Sequence, residues 1–481
     1  MPESEANQTT PISATHPEIS SSPNTRRKPQ WNPEKNHGRY GAQDYTGCEQ
    51  VTLTHPELKA GDACPDCATS NTPAKLYATA DPGVLIRLKG QPLITGTCYH
   101  IEKLRCVVCG SLYAAPIPKA IAQQPKYDVS CRTNIAMGRY YMGLPFKRLE
   151  LWQSLQGIPL ADATQWDQMR IVYPPVKAIR DCLEGLAAHG QALFYDDTPN
   201  KILNQPLRVQ EGKALRKGVY TTAVVSQVEQ RVVYLFYTSE RYAGENIEAL
   251  LRKRTANSSP LITMSDASAN NQPKKVPDDL LARWIMCFCL VHGRRKFYEI
   301  FNFFESECDY VLKQIGEVYH YDKLCREKGL NAQERLAYHQ VHSQSVMEGL
   351  RIWLNNQLLY GLIEPHSGLG EAMTYLLRHW EALTQFLREA GAPLDNSICE
   401  QAIKIIIRHR NNSLFYKSPF GAQVGDALTS VMHTAARNQV NVYDYLNTLQ
   451  LNADEVMAAP EEWLPWSYEA TLQCRTWREA A

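Results

Sequence analysis

The sequence predicts an α/β protein: a mixed sheet interrupted by an all-helical insertion, preceded by a zinc ribbon and a helical, helix-turn-helix-like module. Three observations carry that prediction. Two CxxC pairs stand at 64–67 and 106–109. Short β-branched and aromatic runs, two of them ending in acids, fill much of 191–268. Apolar residues at three- and four-residue intervals then dominate from 278 to about 390, and a further helix opens near Asp395 or Asn396.

Taken in order, residues 1–48 are rich in Ser, Thr, Pro and Asn with few aliphatics, and read as a disordered arm with a basic end, TRRKPQWNPEKNHGR. Residues 49–118 hold CPDC and CVVC, separated by 38 residues (106 − 67 − 1). Four thiolates in two CxxC pairs supply a tetrahedral sulfur site, so Cys64, Cys67, Cys106 and Cys109 are expected to bind a structural Zn2+. The gap is wider than the usual spacing of about 15–20 residues, and a redox reading would need only one pair, beside a βαβ unit. Residues 119–188 are helical in pattern; LELWQSLQGIPLADATQWDQM reads as two short helices around a Gly-containing turn, either a DNA-reading unit or a simple packing hairpin.

Residues 189–275 read as the first part of a catalytic core. QALFYDDT is a strand ending in acids, GVYTTAVVSQV and RVVYLFYTS form a hairpin, YAGENIEALLRKR is a helix, and PLITMSDAS is a buried strand ending in an acid. Residues 276–392 follow as a helical insertion, 393–450 as the C-terminal helices of the core, and 451–481 as a tail.

Composition narrows the function classes. Of 481 residues, 44% are hydrophobic and 21% charged, and no run approaches the roughly 18 apolar residues of a membrane span. The first thirty residues lack the apolar segment of a secretory signal, so the 14 cysteines fit a reducing cytoplasm. A net charge of +1 leaves nucleic-acid binding to local clusters.

Three carboxylates are candidates for chemistry. Asp196 ends the first core strand, Asp266 the fourth, and Glu400 lies on the apolar stripe of the helix that opens near Asp395. A carboxylate there either pairs with Lys404 one turn on or faces a metal. With the first strand central and the fourth beside it, both aspartates emerge at one sheet edge, and a helix crossing that face can add the third. This RNase H-like arrangement suits two Mg2+ ions acting on a phosphodiester.

The sequence resembles the insertion sequence 66 family of bacterial DDE transposases. The likeness rests on FYDDTP at 194–199, CLVHGRRKF at 289–297 and DNSICEQAIKIIIRHRNNSLFYKSPFGA at 395–422. It implies DNA cleavage and strand transfer at the element's ends, with Asp196, Asp266 and Glu400 holding Mg2+ (or Mn2+). Double-stranded DNA, as terminal repeats and as target, is the implied partner, bound by a homo-oligomer in the nucleoid; accessory proteins of the same element stay open. The resemblance gives Cys289 and His292 a supporting role near the active site, in place of the default reading of a buried Cys and a satisfied His; Arg294, Arg295, Lys296, Arg408, Arg410 and Lys417 are candidate phosphate contacts, each equally readable as a solvated charge. Asp197 stands where the family usually has Glu, MSDASANN lacks the Gly-Tyr that commonly follows the second Asp, and the long N-terminal coiled coil of larger members is missing. A nuclease or resolvase without strand transfer, and an inactive DNA-binding relic, are the alternatives.

Overall fold

Alternating apolar side chains between 192 and 239 force strands that bury both faces. The structure, a computed structural model, describes residues 55–63, 75–77, 90–105, 112–205, 209–210, 213–214, 218–255, 260–276, 278–281 and 283–480. The chain divides into two compact units, 1–90 and 91–481. In the first, Ala63 and Lys75 pair across an antiparallel bridge.

The second unit is built on a five-stranded mixed sheet. Its strands are β1 (Ala192–Asn200), β2 (Val219–Val228), β3 (Arg231–Ser239), β4 (Leu261–Ser265) and β5 (Trp284–Phe288), in spatial order β3-β2-β1-β4-β5. The β1–β2 and β2–β3 pairs are antiparallel; β1–β4 and β4–β5 are parallel. The fifth strand corrects the helical reading of 278 onward. WIMCF is a five-residue apolar run that pairs residue for residue with β4, between a single helical turn at Asp278–Leu281 and the helix that starts at Leu290. So short a run carries no usable period, and pairing decides its state.

The helices that matter for the site are α1 (Phe146–Leu155), α2 (Asp162–Ala188), α3 (Ala243–Leu251), α4 (Leu290–Glu299), α5 (Glu305–Glu327), α6 (Gly368–Arg378), α7 (Ser397–Ser413) and α8 (Pro419–Arg437). The strand period of two sends Leu193, Tyr195, Val224 and Leu235 into one core, packed with α2, α3 and α8. It sends Ala192, Phe194, Ala223, Val225 and Phe236 into a second core, filled from α7 by Cys399, Ala402 and Ile406 and from the helical insertion by Val311, Ile315 and Leu376. Helix α2 is longer than expected: it runs 27 residues through Pro174 and Pro175, and buries Met169, Val172, Val176, Ile179 and Leu183 in the first core. The αα unit is therefore anchored in the sheet's own core.

Edge strand β3 is covered by α8. The N–H groups of Val232, Tyr234, Phe236 and Thr238 donate to Asn438 Oδ1, Thr434 Oγ1, Ser430 Oγ and Asp426 Oδ2, at 3.2, 2.9, 3.0 and 2.7 Å. Four residues of helix rise about 6.0 Å and two of strand about 6.8 Å, so the two periods keep step over this length. Among the described residues no helix is long and apolar enough to cross a membrane.

Candidate active site

The parallel register of β1 and β4 pairs Ala192 with Ile262 and Phe194 with Met264. Two residues on from the last pair stand Asp196, within β1, and Asp266, one residue past the end of β4, so the parallel pairing brings the two acids to the same end of the strand pair. β1 itself runs on to Asn200 along β2, so Asp196 lies within a strand rather than at its end. Asn271 Nδ2 donates to Oδ1 of both, at 3.2 Å to Asp196. Asp196 Oδ1 also accepts the Asp197 N–H at 2.8 Å, and Asp266 Oδ1 the Ser268 N–H at 3.0 Å. Burial, and then the neighbouring Asp266 charge, push the Asp196 carboxyl up to about 7.

Strand alternation separates Asp196 from Asp197. Asp196 follows Ala192 and Phe194 toward the core that α7 covers, whereas Asp197 follows Leu193 and Tyr195 to the opposite face. There its Oδ2 accepts the Ala243 N–H at 3.2 Å, at the start of α3. Burial raises its carboxyl and that N–H opposes the rise. Asp197 thus ties a helix end to the sheet.

Glu400 is delivered by the first turn of α7, which three bonds pin to its surroundings. Buried Asn396 donates through Nδ2 to Tyr195 O at 3.0 Å and through its N–H to Cys289 Sγ at 3.3 Å. Cys399 Sγ donates to Ala223 O at 3.4 Å, and Ala223 is the cross-strand partner of Asp196. Glu400 does not pair with Lys404, which is exposed; its nearest cationic candidate is His292, with Nδ1 3.9 Å from Oε1. Both of those atoms are buried without a hydrogen-bond partner. Cys289, His292 and Glu400 place one ligand atom each within 4.8 Å of one another, the only such group of three found among the described residues.

The basic candidates divide. Arg410 Nη1 donates to Thr198 Oγ1 at 3.0 Å and to Pro199 O, which clamps α7 to the far end of β1. Arg408 and Lys417 are exposed, as are Arg295 and Lys296 on α4; Arg294 is half-buried, and Lys296 Nζ stands 4.6 Å over the Tyr375 ring. Beside Lys417 opens a cavity of about 590 Å³ lined by Arg139, Phe146, Trp166, Phe415 and Tyr416. Sequence reasoning missed Asn271, for which the only cue was an amide five residues past an acid. Cys64, Cys67, Cys106 and Cys109, the expected zinc ligands, lie outside the described residues.

The family model described as "Transposase IS66 family" matches residues 126–424, well over half of the chain and the whole of this site. The chain belongs to that family. It is also similar to three proteins of Sinorhizobium fredii (strain NBRC 101917 / NGR234), each described only as uncharacterized. The first, y4hP, is 23% identical over 383 residues, covering 76% of this chain and 67% of the relative. The second, y4jD, is 29% identical over 189 residues, 38% of this chain and 36% of the relative. The third, y4qI, is 29% identical over 185 residues, 38% of this chain and 33% of the relative. The resemblance to IS66-family transposases drawn from three short motifs therefore extends across the sheet, the insertion and α7.

Proposed function

We propose that this IS66-family protein is a DDE transposase, which binds the ends of its insertion element as double-stranded DNA and catalyses metal-dependent cleavage and strand transfer on an RNase H-like core. One observation carries the reading. Asp196 lies on β1 and Asp266 just past the end of the adjacent parallel β4, the two joined through Asn271, and Glu400 enters on a helix pinned beside Asp196. The strand order, with the acid-bearing strands central and next to it, supports the RNase H-like assignment.

The residues present fit a hard divalent ion. Asp196 and Asp266 share the Asn271 amide and each accepts one backbone N–H besides, whereas Glu400 Oε1 is buried without a partner, so three carboxylates gather here with one oxygen left unmatched. Such groups need a cation. Asp196, Asp266 and Glu400 would hold Mg2+ or Mn2+, which when bound activates a hydroxyl nucleophile and neutralises charge on the leaving oxygen. The chain's own groups do the rest. Asn271 fixes the orientation of two carboxylates, and Asn396 and Cys399 hold the helix start that positions the third. Arg295, Lys296, Arg408 and Lys417 supply exposed charge for phosphates. In cleavage, water attacks phosphorus and the P–O3′ bond breaks; in transfer, the freed 3′-hydroxyl attacks a target phosphate and displaces its 3′-oxygen. Assembly as a homo-oligomer on DNA belongs to the same proposal.

Cleavage of DNA carrying the element's ends, in Mg2+ or Mn2+, tests it. Glu400→Gln keeps size and hydrogen bonding but removes charge, so DNA binding persists and cleavage falls to background. Wild-type-like cleavage by that variant would overturn the triad.

A further inference from the structure

We infer that Cys289, His292 and Glu400 form a three-ligand site for one divalent cation of the zinc class, sharing Glu400 with the catalytic carboxylates. The donor set is the first argument. Sulfur and imidazole nitrogen beside one carboxylate suit Zn2+ or Co2+ and are foreign to Mg2+, which takes oxygen. Distance is the second. Bonds of about 2.0–2.3 Å around a tetrahedral ion place ligand atoms roughly 3.5 Å apart. The three atoms already lie within 4.8 Å of one another, and His292 Nδ1 and Glu400 Oε1 are 3.9 Å apart.

Satisfaction of polar groups is the third and strongest argument. His292 Nδ1 and Glu400 Oε1 are buried with no hydrogen-bond partner, and they stand across the same gap from one another. Two such orphans are costly unless something sits between them. Cys289 Sγ already accepts the Asn396 N–H at 3.3 Å, a bond that strengthens when the sulfur is a thiolate. The residue also occupies the N-cap position of α4, where the helix dipole favours negative charge. The side chains of His292 and Glu400 are 25% and 27% exposed, which leaves a route in and a fourth position for water.

Binding forms metal–sulfur, metal–nitrogen and metal–oxygen bonds, breaks the Cys289 S–H bond and releases that proton to solvent, with no change of oxidation state. Resting on the transposase reading, the consequence is regulatory: an ion held here occupies a Glu400 oxygen that cleavage requires, so zinc-class metal restrains the Mg2+ reaction.

The test uses full-length protein without DNA, titrated with Co2+ and followed by visible absorption and by metal content. Wild type should take up one more equivalent of Co2+ than Cys289→Ser, and the difference spectrum should carry a thiolate-to-cobalt charge-transfer band. The cysteines of the two CxxC pairs are common to both proteins and cancel. His292→Ala, at a partly exposed position, should weaken this uptake at least tenfold while keeping its circular dichroism, and Glu400→Gln should weaken it as well. Co2+ uptake and spectra in folded His292→Ala that match wild type would overturn the site. Because no DNA is present, failure here leaves the cleavage proposal standing, and failure of cleavage leaves the cobalt result standing.

Discussion

Replacing Asp196 by Asn should stabilise the metal-free protein at alkaline pH while abolishing cleavage. Asn preserves the Oδ1 that accepts the Asp197 and Asn271 N–H groups and removes a charge that burial and Asp266 disfavour. The carboxyl rises from 3.8 to about 7 on folding. At about 1.4 kcal/mol per pH unit, roughly three units correspond to on the order of 4 kcal/mol. The sign follows from proton binding. Between those two values the folded state holds the proton more tightly than the unfolded one, so wild-type stability falls as pH rises through the window and stays low above about 7. Urea midpoints in EDTA should therefore favour Asp196→Asn by up to about 4 kcal/mol at pH ~8 and by only about 1–2 kcal/mol at pH ~5. Added Mn2+ should stabilise wild type and leave the variant nearly unmoved. An equal gap at both pH values, or an Asn variant less stable than wild type at pH ~8, would refute the reasoning.

Further outcomes follow from other contacts. Asn271→Ala removes a donor that lowers the Asp196 carboxyl, so the acid limb of the cleavage pH profile should move to higher pH; an unmoved limb would count against Asn271 as the positioning residue. Gly293→Ala would place a Cβ 2.6 Å from Leu376 Cδ2 and should cost about 1–3 kcal/mol in a denaturant titration. Arg408→Ala and Lys417→Ala should each lower the salt slope of DNA binding by about 1, whereas Arg410→Ala should mainly lower stability, because its guanidinium is held by Thr198 and Pro199. Ser430→Ala strips the acceptor from the Phe236 N–H and should cost about 1–3 kcal/mol by urea midpoint.

Much of the sheet was legible because β1, β2, β3 and β4 are long or strongly β-branched and bounded by turns. β5 was not: WIMCF passes into a helix almost without punctuation, and only its pairing with β4 makes it a strand. Within the site, Asp196 could be preferred over Asp197 from its motif. The physical reason, that alternate residues face different cores and Asp197 is engaged by α3, needed the sheet to be built. The closeness of Glu400 to Cys289 and His292 spans more than a hundred residues of helical insertion, and no local pattern encodes a distance set by how that insertion closes. Asn271 lies outside any regular element, where periodicity says nothing about direction.

The cover that α8 places over β3 also has a history in time. The four strand N–H groups lie at 232–238 and their acceptors at 426–438, separations of 188 to 206 residues. At roughly 5–20 residues per second of synthesis, the strand exists for about 10–40 s before its acceptors have been made. Throughout that interval a β-branched, aromatic edge faces the cell unguarded, open to pairing with another nascent copy. The chain's yield as a folded protein is thus tied to how quickly a ribosome makes the roughly 200 residues between the strand and its acceptors, and a gene truncated before residue 426 would leave that edge bare for good.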